Sequence, residues 1–538
     1  MNEMLNDGVE QYDEGGSRLP SWLSETPYWL IAVALHVVIL FILGTIVVLQ
    51  VEEEKKEVRT VVRQEFKPEE YDPTKKRAIE RKPEILDKQK DNPILKLKPD
   101  KVSKTPKGTD LKNQTNKNLM QNSVNDAFGT AGAGAGAYGN RFGRGSLSRE
   151  GGSEGTESAV LAALHWLRRH QHPDGHWSSN DFLAVCDKEK FGEVCRHKEG
   201  VTSYEPKGVG FEGHDIGVTA LAMLAYLGYG ITHRDGDIPE FMEVMRKAMG
   251  WMLAQQVKSA DENQDGLYGA PIEGVQEWIY NHAIATMAMS ELLMMSRDQI
   301  KLSKSVESAT RWCMRAQNPG FGWKYGYLAG KNDTSVTGWM VLALKTAKAC
   351  SASRLLKIEK EEYDPAFAGA IAWFDSATSA QTGKTGYESP GDPGSTLQKA
   401  YPEDYPFSKE LSCMTAVGVL CRIFAGQSRK DDSIKLGVDI LMNELPDWRP
   451  AEGKRKSKIN LYYWYYATYA MFQFGGQKWK DWNEAMIDAL VPTQRVGGCE
   501  DGSWDPIDEW GVAGGRVYAT AIGAMTLEVY YRFIREES

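Results

Sequence analysis

From residue 156 onward one pattern returns six times, and that recurrence limits what the chain can fold into more than any other feature. A stretch with apolar residues at helical spacing closes on a glutamine and a glycine-aromatic turn: HWLRRHQHPDGHW from 165, WMLAQQ with DGLYG in 251–269, RWCMRAQNPGFGW from 311, AWFDSATSAQTGKTGY from 372 and IDALVPTQRVGGCEDGSW from 487. VDILMNELPDW at 438–448, fifth in chain order, keeps the helix and lacks the Q and the G. Between these lie helices rich in small residues that align on a threonine: GHDIGVTALAML, YNHAIATMAM, NDTSVTGWMVLAL, ELSCMTAVGVL, YYWYYATYAMF and GGRVYATAIGAM. A pair of such helices cannot bury its apolar faces alone, so neighbouring copies must stack. The expectation is an all-α fold over 156–538, an α/α toroid of six hairpins, each with one outer and one inner helix. Alanine and glycine on the inner helices permit the close approach that a narrow ring demands.

The recurring turn poses a choice, because the aspartate of QHPDGHW could be reactive or could shape the chain. Pro-Asp-Gly is turn chemistry: proline presets φ, aspartate bonds its own backbone and glycine takes φ > 0. The comparable turns at Gly320 and Gly383 carry no acid. Asp174 therefore reads as architecture, with Trp177 packing back over the helix end.

The Q, G and W recurring after the outer helices resemble the QW repeats of squalene-hopene cyclases, and 156–538 is similar to the terpenoid cyclase and protein prenyltransferase toroid superfamily. That resemblance implies the fold; a fold hosts unrelated sites. The DxDD acid motif of the class II cyclases is missing, its nearest text being RKDDS at 429–433. The Asp-x-Cys of prenyltransferase zinc sites would fall at Asp333, where Thr334 and Ser335 follow instead. The GCGEQ thioester motif of complement-type toroids is absent too.

Counting four residues back from the aligned threonines, Thr219, Thr286, Thr337, Thr415, Thr468 and Thr520, gives Asp215, His282, Asp333, Leu411, Trp464 and Arg516. These are expected to ring one mouth, with Arg516 beside Asp215 and His282 between two carboxylates. Asp215 and Asp333 also suit helix capping. Tyr280, Trp339, Tyr462, Tyr463, Tyr466 and Tyr518 are expected to line the same mouth. No metal and no cofactor are expected there. DENQDG is a candidate calcium loop through Asp261, Asn263 and Asp265, although its twelfth position is Ile272 rather than Glu. Cys186 and Cys195 would form a disulfide if exported or stay reduced if not, and none of the seven cysteines shows paired metal-ligand spacing.

Ahead of the repeats, a polar tail (1–27) precedes YWLIAVALHVVILFILGTIVVLQV, 28–51, which has no Asp, Glu, Lys or Arg and reads as a transmembrane helix. Residues 52–155, first charged and then glycine-rich, read as a flexible linker. Lys55, Lys56, Arg59, Arg63 and Lys67 behind the span favour a cytoplasmic C-terminal part. A short N-terminus, a span holding His36 and a Lys/Pro/Glu stretch resemble TonB-type anchors, which implies an extracytoplasmic one. The expected localisation is a single-pass membrane protein, its toroid extracytoplasmic. A net charge of −9 gives no global basic field, so nucleic acid is not an expected partner. The expected function is a toroid that binds a ligand or an envelope protein without catalysis. The alternatives are an isoprenoid- or lipid-processing enzyme, and a glycan-binding or glycan-cleaving domain.

Overall fold

The structure, a computed structural model, describes residues 151–191, 194–195, 208–271, 278–392, 412–448 and 459–532. Among the described residues the fold is all-α, with isolated bridges in turns but no strand. Two series of helices alternate. One comprises α1 (Glu154–Arg169), α3 (Pro239–Ala254), α5 (Gln299–Arg315), α7 (Asp364–Ala377), α9 (Asp432–Met442) and α11 (Gly476–Leu490). The other comprises α2 (Asp215–Gly228), α4 (Trp278–Ser296), α6 (Thr334–Ala352), α8 (Cys413–Phe424), α10 (Leu461–Phe474) and α12 (Gly511–Leu527).

The sequence explains the division. Helices of the first series are amphipathic: α5 buries Leu302, Val306, Ala309 and Cys313, one stripe at helical spacing, and leaves Ile300 and its charged residues outside. Those of the second are buried nearly all round, Leu461 to Gln473 without a break in α10. Polar side chains begin several helices. Ser153 and Thr156 form a reciprocal box at α1, Asp298 accepts from Lys301 N at α5, and Asn460 accepts from Tyr463 N at α10.

The buried helices pack in succession, α2 on α4, α4 on α6, α6 on α8, α8 on α10 and α10 on α12, and α12 packs on α2. The first and last copies meet through backbone as well: Phe211 N donates to Ala513 O at 2.8 Å and Arg516 N to Gly208 O at 2.8 Å. A side chain at Gly210 would collide with Ala513 O, its Cβ coming within 2.3 Å. At the chain's end Arg532 is fully buried, donating to both oxygens of Glu291 at 2.9 Å and to Leu224 O at 2.8 Å. That ties the last residues described to α2 and α4.

The recurring letters have one job each. Gln171 Nε2 donates to Gly175 O in its own turn and to Val244 O of α3 (2.8 and 3.0 Å). Gln256 bridges Gly266 O and Ser305 O of α5, and Gln317 bridges Phe321 O and Ala366 O of α7. Gln494 bridges Gly502 O and Ala159 O of α1, both at 2.8 Å. Each amide thus spends its two N–H bonds on closing a turn and holding the next copy's amphipathic helix. The tryptophans point back: Trp177, Trp323 and Trp504 donate their indole N–H to Leu167 O, Cys313 O and Leu490 O. The threonines grip the same turns from the other side, Thr219, Thr337, Thr415 and Thr520 accepting the N–H of Trp177, Trp323, Thr385 and Trp504. Gln381 does not belong to this set. Thr378, five residues after Trp373, stands at the corresponding place, and Gln381 is exposed.

Two expectations about the rest of the chain need restating. No helix among the described residues is long and apolar enough to cross a membrane, which corrects the expected single-pass membrane localisation. The span at 28–51, the tail before it and the linker up to 150 lie outside the described residues.

Replacing Gln494 with Ala removes both bonds, although Ala159 O keeps its partner within α1, so it should lower the unfolding free energy by about 1–3 kcal/mol. Urea denaturation measures this; an unchanged midpoint would show that the bridge carries no stability.

Candidate functional site

The mouth residues expected from the sequence separate into two groups, and helix geometry says why. The aligned threonines face the glycine-aromatic turns. A residue four earlier shares that face, whereas residues two or six earlier, or two later, stand roughly opposite.

The first group accordingly meets the turns. Asp215 accepts from Ser179 N at 2.9 Å and from the hydroxyls of Ser178 and Ser179, with His176 Nε2 3.9 Å away. It braces the QHPDGHW turn and does not cap its own helix. Within that turn Asp174 accepts from His176 Nδ1 at 2.6 Å and from its N–H, as a shaping residue should. Gly175 takes φ +112°, and a Cβ there would lie 2.4 Å from Lys247 O. His282 is not set between carboxylates: its Nδ1 accepts Tyr268 N at 3.0 Å, and Cys313 and Trp312 pack on the ring. Burial drives its pKa down to about 3, so it is a neutral acceptor doing for its turn what threonine does elsewhere. Arg516 reaches Asp505 at 2.5 Å and Ser503 at 2.8 Å. Trp464 packs on Trp448, and Tyr463 donates to Glu444 O. Leu411 lies outside the described residues.

The second group converges. Tyr280, Ser335, Trp339, Tyr462, Tyr466 and Tyr518 stand at the opposite-face positions of α4, α6, α10 and α12. Ser335 Oγ and Tyr462 Oη are 2.9 Å apart, Tyr462 and Tyr466 pack at 4.9 Å, and Trp339 meets Tyr466 edge-on at 5.5 Å. Trp510 packs on Tyr462 at 5.9 Å. On the other flank Tyr280 meets Tyr325 edge-on, and the Tyr325 and Tyr387 hydroxyls are 2.6 Å apart. Tyr325, Tyr387 and Trp510 belong to the turns, which the threonine register does not reach. The result is an aromatic basin at the N-terminal ends of the buried helices.

Asp333 joins both groups. Its Oδ1 caps α6, accepting Val336 N at 2.7 Å, and the residue is fully buried. Its Oδ2 makes no well-formed hydrogen bond among the described residues, although the Tyr387 hydroxyl stands close enough to stabilise the carboxylate; Tyr466 Oη, beside Tyr462, and Tyr518 Oη and Trp510 Nε1 make none either. Buried polar atoms are nearly always paired, and these stand out because they fall among aromatic rings, although others without a partner, such as His165 Nε2, Ser290 Oγ and Trp373 Nε1, lie elsewhere in the fold. Burial pushes the Asp333 carboxyl up to about 7, against the opposing pull of the Val336 N–H and of Lys324. It therefore exchanges a proton near neutrality.

The candidate calcium loop is engaged in other ways. Asp261 Oδ1 accepts Asn263 N, Asp265 accepts from Ser259 N and Ser308 Oγ, and Asn263 O receives the Trp312 indole N–H. These are the bonds of a turn docked on α5, and Ile272 lies outside the described residues.

One cluster escaped the sequence. His170 Nε2 lies 3.5 Å from Cys186 Sγ, 3.4 Å from Cys195 Sγ and 3.4 Å from Cys499 Sγ. Cys186 and Cys195 are free thiols here, not a disulfide. Among the described residues these four side chains form a set able to hold a metal ion. The one sequence signal is the likeness of the first and last glycine-aromatic turns, which hold His170 and Cys499.

In comparison with known proteins, no family model matches the chain, and no curated protein matches it.

Asp333 predicts a pH dependence. With its folded pKa raised above the unfolded value, the native state holds the extra proton, so its contribution falls as pH rises from about 4 to about 7. Asp333→Asn keeps an acceptor for Val336 N and removes this titration. Its stability relative to wild type should therefore be greater at about pH 8 than at about pH 5. Denaturant titrations at both pH values test it; a parallel offset would mean that Asp333 does not titrate in this range.

Proposed function

We propose that residues 156–538 form an α/α toroid, and that the aromatic basin binds an apolar or amphipathic small molecule without transforming it. The closed succession of buried helices and the glutamine that reaches from the last copy to the first support the ring. The observation carrying the binding reading is the set of buried polar atoms without a well-formed hydrogen bond, Asp333 Oδ2, Tyr466 Oη, Tyr518 Oη and Trp510 Nε1, within an aromatic lining. Such a lining removes apolar surface from water while a few placed polar groups orient a head group.

A second reading rests on Asp333 alone. A buried carboxyl that is protonated near neutrality and surrounded by aromatic rings can deliver a proton to an olefin or alcohol, with the rings stabilising the cation that forms. That would make the basin an acid catalyst of isoprenoid or lipid chemistry, despite the missing DxDD.

Calorimetric titration with a farnesol-length isoprenoid alcohol, beside a maltooligosaccharide, separates the readings. Tyr466→Phe and Tyr518→Phe should leave stability unchanged or raised, since each removes a buried hydroxyl that makes no well-formed hydrogen bond, yet weaken the alcohol about tenfold per hydrogen bond lost. Equal affinity in both variants would make the basin ordinary core. An altered alcohol, recovered from wild type and not from Asp333→Asn, would establish the catalytic reading; binding of the sugar alone would favour the glycan-directed one.

A further inference from the structure

We infer that His170, Cys186, Cys195 and Cys499 bind one zinc ion, and that this ion latches the last copy of the repeat to the first. The four donor atoms all lie within 4.8 Å of one another. With Zn–S near 2.3 Å and Zn–N near 2.0–2.1 Å, tetrahedral ligation puts nitrogen and sulfur about 3.6 Å apart. The three nitrogen–sulfur distances, 3.4 to 3.5 Å, fit that edge closely. Donors this close surround a single ion and leave no room for an iron–sulfur cluster.

The surroundings hold the ligands in the form a metal needs. His170 Nδ1 lies 2.9 Å from Trp166 O, so its proton is engaged by that carbonyl and the Nε2 lone pair faces the sulfurs. Trp166 stacks on the imidazole at 4.1 Å and fixes its plane. Three thiolates and one neutral imidazole around a divalent ion leave a net charge of −1 by formal count. Arg169, immediately before His170 and half-buried, lies within electrostatic range of Cys195 and Cys499 and offsets it. Soft sulfur donors select zinc over magnesium or calcium, and four protein ligands leave no open position for catalysis. The site is structural.

Its position gives it a task. His170 follows α1 and Cys499 lies in the final glycine-aromatic turn, 329 residues later in sequence. Cys186 and Cys195 belong to the insertion that follows the first turn. One ion therefore joins that insertion to both ends of the repeat array, close to where Gln494 reaches Ala159.

Full-length protein purified without chelator should contain one zinc per chain by elemental mass spectrometry, and Cys499→Ser should lose it. Cys350→Ser, at a buried thiol that donates to Ser290 O, should retain it. Replacing zinc with cobalt in the wild type should give the visible absorption of tetrahedral thiolate ligation, and stripping the metal should lower the melting temperature. These two wild-type measurements decide the matter if Cys499→Ser does not fold. Absence of stoichiometric metal together with no tetrahedral cobalt spectrum overturns the inference. So does metal retained equally by Cys499→Ser, or a Cys186–Cys195 disulfide in freshly purified protein.

Discussion

A glutamine amide holding two carbonyls at once is the contact on which the architecture depends. Each helix pair buries only part of its apolar surface by itself, so the array persists only if successive copies are kept in register. Gln171, Gln256 and Gln317 do this along the chain, and Gln494 does it between the end and the beginning. Both partners of each amide are backbone carbonyls, so the bond is indifferent to the neighbour's side chain and can recur in copies that share little else. Where the glutamine is missing, other contacts serve. Gly383 sits against Leu436 of α9, a Cβ there coming 2.4 Å from the leucine side chain, and Lys478 of α11 pairs with Asp439 of α9.

Much of this was legible because the repeat is periodic. The alternation of amphipathic and small-residue helices and the turn role of Asp174 follow from local pattern, whereas the threonines show in the sequence only as marks of register and their grip on the turns is seen in the structure. The site was legible only in part. Counting four back from a threonine chose the face that grips the turn, so Asp215, His282 and Arg516 were found together for an architectural reason. The basin lies two residues out of phase, on the opposite face, and Tyr280, Trp339 and Tyr518 were identified as aromatic residues rather than by register. Asp333 caps α6 as its place before the helix suggests, but the surroundings of its second oxygen are a property of three-dimensional packing. The cysteine–histidine cluster is not legible from spacing, since its members fall in separate turns and an insertion and no pair has metal-ligand spacing.

Two regions emerge with different chemistry. The zinc latch proposed for the turns at the array's joint is soft, closed and fully ligated. The basin at the buried helices' N-terminal ends is aromatic, with polar atoms left without a well-formed hydrogen bond. One suits holding the fold together and the other suits meeting a guest. The charged inventory supports that division: Arg532, Glu291 and Glu528 are buried together at the chain's end, the arginine bonded to both carboxylates, and Arg516 is committed to Asp505.

The array's two ends adjoin through backbone hydrogen bonds. An engineered disulfide between Phe211→Cys and Ala513→Cys tests it most directly, because these residues share a backbone hydrogen bond of 2.8 Å. Peptide mass spectrometry of the oxidised full-length double variant should find the two cysteines joined within one chain. No intramolecular link under conditions that oxidise both thiols would contradict the closed arrangement.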